Sequence, residues 1–314
     1  MLVGPKEKDM KELEVVLGQI PHTINATVVL VVVDGEGVDL TLLFQDIVNR
    51  HKLRLDITVA PIEFRFPPGF DPANMRAHVK WSKRGKWNYQ HMIRFWFSNF
   101  FLLPFFRNVE YVMRLDTDVE LPSDFWKTPD FFQLMQDSHC SQGYINVMSD
   151  DPIMTQGLVA FVEDYAHNHS LTLKRSLTMP GSADNVKIFF NNVEVVHLPS
   201  FRESSIQEFI TTVDQSFNIY LRRWGDAPLR FALAALFFNE SQICHYQRPY
   251  VHAGTTIYPV SMEEASARKS PWWVEAVVLV AVIVSVILEK RLRGDCDMVA
   301  YLANKDSSTN MIMV

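Results

Sequence analysis

Two aspartates one residue apart, Asp116 and Asp118, close the stretch Tyr111-Val112-Met113-Arg114-Leu115-Asp116-Thr117-Asp118. Delivered together where an apolar strand ends, they offer hard oxygen ligands suited to Mg²⁺ or Mn²⁺. A cation held there can bridge a diphosphate and, as a Lewis acid, neutralise the charge building on a departing nucleoside diphosphate. Arg114 could add a charge-assisted bond to phosphate. Spacing alone is a weak signal: about one D-x-D arises by chance in a chain of this length, and a solvated acidic turn reads the same way.

The elements that must position these carboxylates are legible on either side. Thr27–Val33 (TVVLVVV) is a β-branched run of the length of a buried parallel strand. The turn Asp34-Gly35-Glu36-Gly37 follows, then an apolar periodicity over Val38–Val48 that predicts a helix, then a second strand over Leu53–Ala60. Such a β-α-β opening predicts a nucleotide-binding α/β fold, in which ligands gather at the carboxyl ends of strands. Val109–Leu115 is predicted as the strand that ends at the acidic pair. Residues 61–86 are Pro-rich and predicted as a loop over the site, followed by a helix over Asn88–Phe101. A further helix is predicted over Ala227–Phe238, with Asp226 as its N-cap and Pro228 in its first turn.

The 314 residues can bury a sizeable core, and 48% hydrophobic with 21% charged composition excludes wholesale disorder. A net charge of −6 and a pI near 5.9, with no basic patch interleaved with aromatics, argue against nucleic acid as a partner. Cys140, Cys244 and Cys296 show no C-x-x-C spacing, so neither a zinc ribbon nor a dithiol site is supported; a Cys140–Cys244 disulfide is open to the chain but not decided by sequence. Sequons begin at Asn25, Asn168 and Asn239, which permits a lumenal location. Residues 1–20 are polar and lack a signal-peptide core. Residues 272–288 (WWVEAVVLVAVIVSVIL) are flanked by tryptophans and a basic run, which predicts a transmembrane helix over a buried core helix.

Tyr89-Gln90-His91-Met92-Ile93-Arg94-Phe95, followed by Arg114-Leu115-Asp116-Thr117-Asp118-Val119, resembles the Y-x-H-M-x-R-F and R-V-E-P-D-V pair of the fungal α-1,2-mannosyltransferases, glycosyltransferase family 15. Arg223-Trp224-Gly225-Asp226-Ala227-Pro228 is similar to that family's R-W-G-D-A-P. Asn192-Val193-Glu194-Val195 resembles its S-N-F-E-I segment, and Tyr250-Val251-His252 falls where it has Y-H-H. With residues 25–32 as its first strand, the resemblance runs in order over about residues 25–254. It implies a GT-A fold, a Rossmann-like mixed sheet flanked by helices. It also implies GDP-mannose as donor, Mn²⁺ (or Mg²⁺) as cofactor, a mannosylated glycan acceptor and retention of anomeric configuration. Carried over by position, Asp116 and His252 become the metal ligands, and Tyr89, His91, Arg94, Arg114 and Asp118 line the donor site. Glu194 takes the place of the proposed nucleophile and Asp226 that of an acceptor-hydroxyl partner. Read without the resemblance, Glu194 is an exposed strand position and His252 a structural histidine.

Two departures stand out. Val32-Val33-Asp34-Gly35 replaces the family's L-V-R-N, removing an arginine expected near the nucleotide, and D-T-D replaces E-P-D. A haloacid-dehalogenase phosphatase also sets D-x-D after a strand, but Glu120 stands where that motif has Thr or Val. The expected plan is a polar segment over residues 1–20, a GT-A catalytic domain over 21–262, a linker over 263–271, a membrane helix over 272–288 and a tail over 289–314. The expected place is the Golgi or another secretory membrane, with the catalytic domain lumenal. A transferase using another nucleotide sugar and an inactive membrane-attached glycan-binding protein are the alternatives.

Overall fold

Stiff β-branched side chains favour the extended backbone, and the run Thr27–Val33 forms strand β2. In the computed structural model, which describes residues 2–3, 7–21, 27–33, 49, 56–73 and 87–267, β2 lies parallel between β1 (Leu2–Val3) and β3 (Asp56–Ile62). The helix expected over residues 38–48 and the apolar run 272–288 lie outside the described residues. Among those described, no helix is long and apolar enough to cross a membrane.

A second sheet carries the acidic motif. Its strands are β4 (Tyr111–Leu115), β6 (Gln142–Tyr144), β9 (Val193–His197) and β10 (Ile243–His245), in the order β10-β6-β9-β4. β9 runs antiparallel to both neighbours, whereas β6 and β10 are parallel. Two shorter sheets complete the set. One joins β5 (Val119–Glu120), β11 (Tyr250–His252) and β12 (Thr255–Ile257); the other pairs β7 (Val147–Ser149) with β8 (Lys187–Phe189).

Side chains alternate across the mixed sheet, so β4 and β9 feed two cores. Leu115, Val193 and Val195 point to one that includes helix α1 (Glu7–Gly18), through Leu13, Val16 and Leu17. Val112 and Val196 point to the other, built on the aromatic residues 95–101 and on α6. The other α-helices of six or more described residues are α2 (Asn88–Arg94), α3 (Phe131–Asp137), α4 (Leu158–Asn168), α5 (Ser204–Gln215), α6 (Asp226–Phe237) and α7 (Met262–Ala267). Ten of the twelve residues of α6 are buried, as expected for a helix apolar on almost every side.

Several expectations are corrected. The N-terminal polar segment expected over residues 1–20 includes α1, whose Leu13, Val16 and Leu17 are buried, and Met1–Ala267 form one compact unit. Residues 263–267, expected as linker, continue α7, whose Ala265 is buried. The helix foreseen over Asn88–Phe101 changes gauge: after Arg94 comes a π turn over Phe95–Asn99, then a 3₁₀ turn over Phe100–Leu102. Asp226 is not the N-cap but the first residue of α6. Gly225, which has no side chain to cap with, holds the cap position, and the Asp226 carboxylate accepts from Arg114. Cys140 and Cys244 are joined in a disulfide across a separation of 104 residues.

Candidate active site

The register of β4 against β9 sets the site. Arg114 lies opposite Glu194, and the pairing continues one step past the strand, where the Asp116 N–H donates to the Asn192 carbonyl at 3.0 Å. Arg114 and Glu194 therefore share the face that looks at α6, an apolar environment in which an unpaired charge is very unfavourable. Helix α6 answers with Asp226 and Arg230, four residues apart and so on one side of the helix. Arg114 donates through Nη1 to Asp226, and Arg230 donates through Nη2 to Glu194 at 3.4 Å. The result is two ion pairs of opposite sense, set between sheet and helix.

Arg114 is spent on this arrangement. Nε donates to Asp116 Oδ1 at 2.9 Å, Nη2 approaches Asp116 Oδ2 at 3.3 Å, and the guanidinium lies 4.4 Å from the centre of the Trp96 ring. Burial works to lower its pKa, but the carboxylates of Asp116, Asp226 and Glu194 hold it above its ordinary value. Arg114, expected beside the donor phosphate, is bonded in this arrangement to Asp116 and Asp226. Glu194 is 1% exposed, which corrects the reading of it as a solvated strand position. Burial raises its pKa against the opposing charges of Arg230 and Arg114, and its Oε2 has no hydrogen-bond partner. Arg230 lies 4.6 and 5.0 Å from the centres of the Phe101 and Phe201 rings, which stack on each other, and its Nη2 also donates to the Trp96 carbonyl at 2.9 Å, within the π turn. Such turns recur at functional sites.

Past Leu115 the chain turns through Asp116-Thr117-Asp118 into β5, which pairs with β11 so that Val119 lies opposite His252. The hairpin from β11 to β12 uses Ala253 and Gly254, both at positive φ, the two-residue turn that matches strand twist. The Ala253 N–H donates to the Asp118 carbonyl at 3.1 Å, pinning hairpin to motif. His252 Nε2 consequently lies 3.3 Å from Asp118 Oδ2. One ligand atom each from Asp116, Asp118 and His252 fall within 4.8 Å of one another. Two carboxylate oxygens and an imidazole nitrogen form a donor set that fits Mn²⁺. A pocket of about 390 Å³ opens beside it, lined by Thr117, Asp118, Val119, Glu120, Ala253 and Gly254 together with Glu12 and Val15 of α1.

The other expected donor-site residues are placed on or beside α2. Tyr89 is 47% exposed with the Arg223 guanidinium 4.5 Å over its ring. His91 Nδ1 is 2.9 Å from the Tyr220 hydroxyl, and its ring packs on Phe64 and Phe66. Arg94 grips both oxygens of Asp214 on α5, at 2.6 and 2.7 Å, and donates to the Arg65 carbonyl at 2.9 Å. None of these contacts is with the acidic cluster. Asp226 accepts from Asn191 as well as Arg114.

Sequence reasoning missed four contributors. Arg230 was hidden in an apolar helix, although a lone arginine four residues after Asp226 is a signal. Asn192 was read only as part of a motif; its amide donates to Asp116 Oδ2 at 2.8 Å and lies 3.1 Å from His252 Nε2. Glu12 and Val15 lie on a helix whose relation to the motif no local pattern reveals.

Residues 73–266, more than half of the chain, match the family described as glycolipid 2-alpha-mannosyltransferase. The O-glycoside alpha-1,2-mannosyltransferase homolog 3 of Schizosaccharomyces pombe is 25% identical over 185 residues, which are 54% of this chain and 48% of that protein. The probable mannosyltransferase KTR3 of Saccharomyces cerevisiae is 28% identical over 49% of this chain and 39% of its own. The chain thus spans half or less of the length of these relatives. Among solved structures, core-mannan synthase A from Aspergillus fumigatus in its Mn/GDP form superposes with a TM-score of 0.68 at 17% identity, covering 86% of this chain and 78% of that one. The mannosyltransferase Ktr4p of S. cerevisiae in complex with GDP gives a TM-score of 0.68 at 20% identity, covering 84% and 73%. The fold is therefore a mixed α/β glycosyltransferase fold.

Proposed function

The chain belongs to the glycolipid 2-alpha-mannosyltransferase family, and on that premise we propose that it is a metal-dependent, retaining α-1,2-mannosyltransferase of the GT-A type. The observation that carries this reading is the convergence of Asp116, Asp118 and His252 from two separate sheets onto one point at the end of β4. The proposed donor is GDP-mannose and the acceptor a mannose hydroxyl on a glycoprotein or glycolipid. The GDP and Mn/GDP complexes of the structural neighbours support nucleotide and metal alike. Asp116 and His252 would hold Mn²⁺ with Asp118 beside it; when bound, the ion neutralises charge on the leaving diphosphate.

The chain's own groups do the rest. Arg114 would hold Asp116 toward the cation site and draw Asp226 of α6 toward the sheet, so both carboxylates are oriented before substrate arrives. In this scheme Glu194, buried and tied to Arg230, would stabilise positive charge on the sugar through space; its burial favours a front-face route over covalent attack. Asp226, at the first turn of α6, is the acceptor-hydroxyl partner in this scheme. The Cys140–Cys244 disulfide supports an oxidising compartment such as the Golgi lumen, and the apolar run 272–288 supports attachment to its membrane.

The test is a panel of GDP- and UDP-sugars presented to the purified chain with and without Mn²⁺. GDP-mannose should be hydrolysed, or transferred to α-methyl mannoside, only with metal. Asp116→Ala and His252→Ala should each remove the response to Mn²⁺. Failure to bind or turn over any donor would reject the enzyme reading and leave a glycan-binding role.

A further inference from the structure

We propose that Asn192 is a positioning residue for the cation site: its side-chain amide holds Asp116 and His252 together and fixes the imidazole as the tautomer whose Nε2 lone pair faces the cluster. The proposal rests on the assignment of Asp116 and His252 as metal ligands, and adds a residue to which no role has been attached.

Four contacts support it. Asn192 holds Asp116 twice, once by accepting its backbone N–H at 3.0 Å and once by donating Nδ2–H to its Oδ2 at 2.8 Å. The second contact sets the orientation of the amide, because the reverse orientation would set Asn192 Oδ1 against a carboxylate oxygen, acceptor against acceptor. With Nδ2 so directed, its other hydrogen meets His252 Nε2 at 3.1 Å. That nitrogen must then be the acceptor, and the proton of the neutral ring must sit on Nδ1. The fourth contact makes this choice consequential. His252 Nε2 is also 3.3 Å from Asp118 Oδ2. Without Asn192, the ring would gain by placing its proton on Nε2 and donating it to Asp118, and a protonated Nε2 has no lone pair for a metal.

The amide thus acts as a neutral placeholder. It keeps Nε2 unprotonated beside Asp116 and Asp118, and gives up its own bond to that nitrogen when a cation arrives. Asp116 need not give up its bond, since each carboxylate oxygen can accept more than once. The buried Asn192 Oδ1, which has no hydrogen-bond partner, fits a group whose orientation is decided by its donor end. Outer partners that hold a ligating carboxylate, as the Asn192 amide holds Asp116, typically lower metal affinity by about 10- to 100-fold when lost.

The experiment uses the full chain, free of metal, with ¹⁵N-labelled histidine. Long-range ¹H–¹⁵N correlations report which ring nitrogen of His252 is protonated, assigned by comparison with His252→Gln. Wild type should show the proton on Nδ1; in Asn192→Ala it should shift to Nε2. Titration with Mn²⁺ alone, followed by the paramagnetic resonance of the free ion, should show affinity about 10- to 100-fold weaker in Asn192→Ala. A wild-type His252 protonated on Nε2 overturns the proposal without any variant. Equal Mn²⁺ affinity in wild type and Asn192→Ala overturns it as well. Absence of Mn²⁺ binding in wild type would instead reject the metal reading, and the tautomer measurement would still decide the orientation of the ring.

Discussion

Replacing Arg114 by leucine removes the cation that Asp116 and Asp226 share. The two aspartates differ in what remains to them. The side chain of Asp116 is 24% exposed and keeps the Asn192 amide, so water can replace part of what it loses. That of Asp226 is 10% exposed and retains only the Asn191 amide at 2.9 Å. Breaking one partner of a buried pair typically costs about 3–5 kcal/mol. With only one of the two carboxylates stranded in the interior, the lower end applies, about 3 kcal/mol. A domain of this size shifts its Tm by about 2–4 °C per kcal/mol, so thermal unfolding of Arg114→Leu should fall by about 6–12 °C. Neutralising the stranded group should return part of the loss: Asp226→Asn in the Arg114→Leu background should recover about 1 kcal/mol or more, although alone it destabilises. Arg114→Lys should fall between, since a lysine keeps the charge but not the planar fork that serves both aspartates. A Tm for Arg114→Leu within about 2 °C of wild type, or no recovery in the double variant, would refute the reasoning.

Two further outcomes follow from groups away from the cluster. Burial, and secondarily the charge of Arg94, lowers the pKa of His91 below its ordinary value of 6.5. The unfolded chain therefore takes up this proton at higher pH than the folded one, and the stability tied to neutral His91 is lost as pH falls below 6.5. His91→Gln should flatten the dependence of unfolding free energy on pH between about 5 and 6.5, by at most about 1.4 kcal/mol per pH unit; an unchanged slope in denaturant titrations counts against it. Opening the Cys140–Cys244 bond, which spans 104 residues, should destabilise by about 2–5 kcal/mol. Dithiothreitol should lower the Tm of wild type and leave Cys140→Ser unmoved; an equal response in both would exclude the disulfide.

What was legible in the sequence was local or signalled by unusual residues. The run Thr27–Val33 declared a strand through composition, and Asp116 with Asp118 stood out because two acids end an apolar segment. The motif order also pointed from Asp116 to His252, 136 residues apart in the chain, before the pairing of β5 with β11 gave the reason. The cross-sheet partners were not legible. Nothing in the segment around Arg114 tells whether its guanidinium faces phosphate or Asp226; that depends on the register with β9 and on the approach of α6. Asp226 had the sequence of an N-cap, but a buried arginine competed for its carboxylate and won, since a charged partner inside the protein outweighs a capping bond worth about 1 kcal/mol. Helix periodicity over residues 88–101 ran true until Phe95, after which tertiary packing of the rings and the claim of Arg230 on the Trp96 carbonyl accompany a change of gauge.

The charges at the end of β4 explain why those buried pairs are tolerated. Asp116, Glu194 and Asp226 are linked to Arg114 and Arg230, and Asp118 joins through His252. Four carboxylates face two guanidiniums, which leaves the connected set two positive charges short if all four are ionised. The shortage is concentrated at the solvent-facing end, where the lone pairs of Asp118 and His252 converge, while the deeper pairs are matched one to one. A divalent cation bound there would supply the missing charge at the place where it is missing. The site should therefore gain stability from the ion itself, before any nucleotide binds, by about 2.7 kcal/mol when free Mn²⁺ stands at a hundred times its dissociation constant. The gain should vanish in His252→Ala and persist in Glu194→Gln. Equal stabilisation of wild type and His252→Ala by Mn²⁺ would mean that the cluster is balanced by something other than a cation at this point.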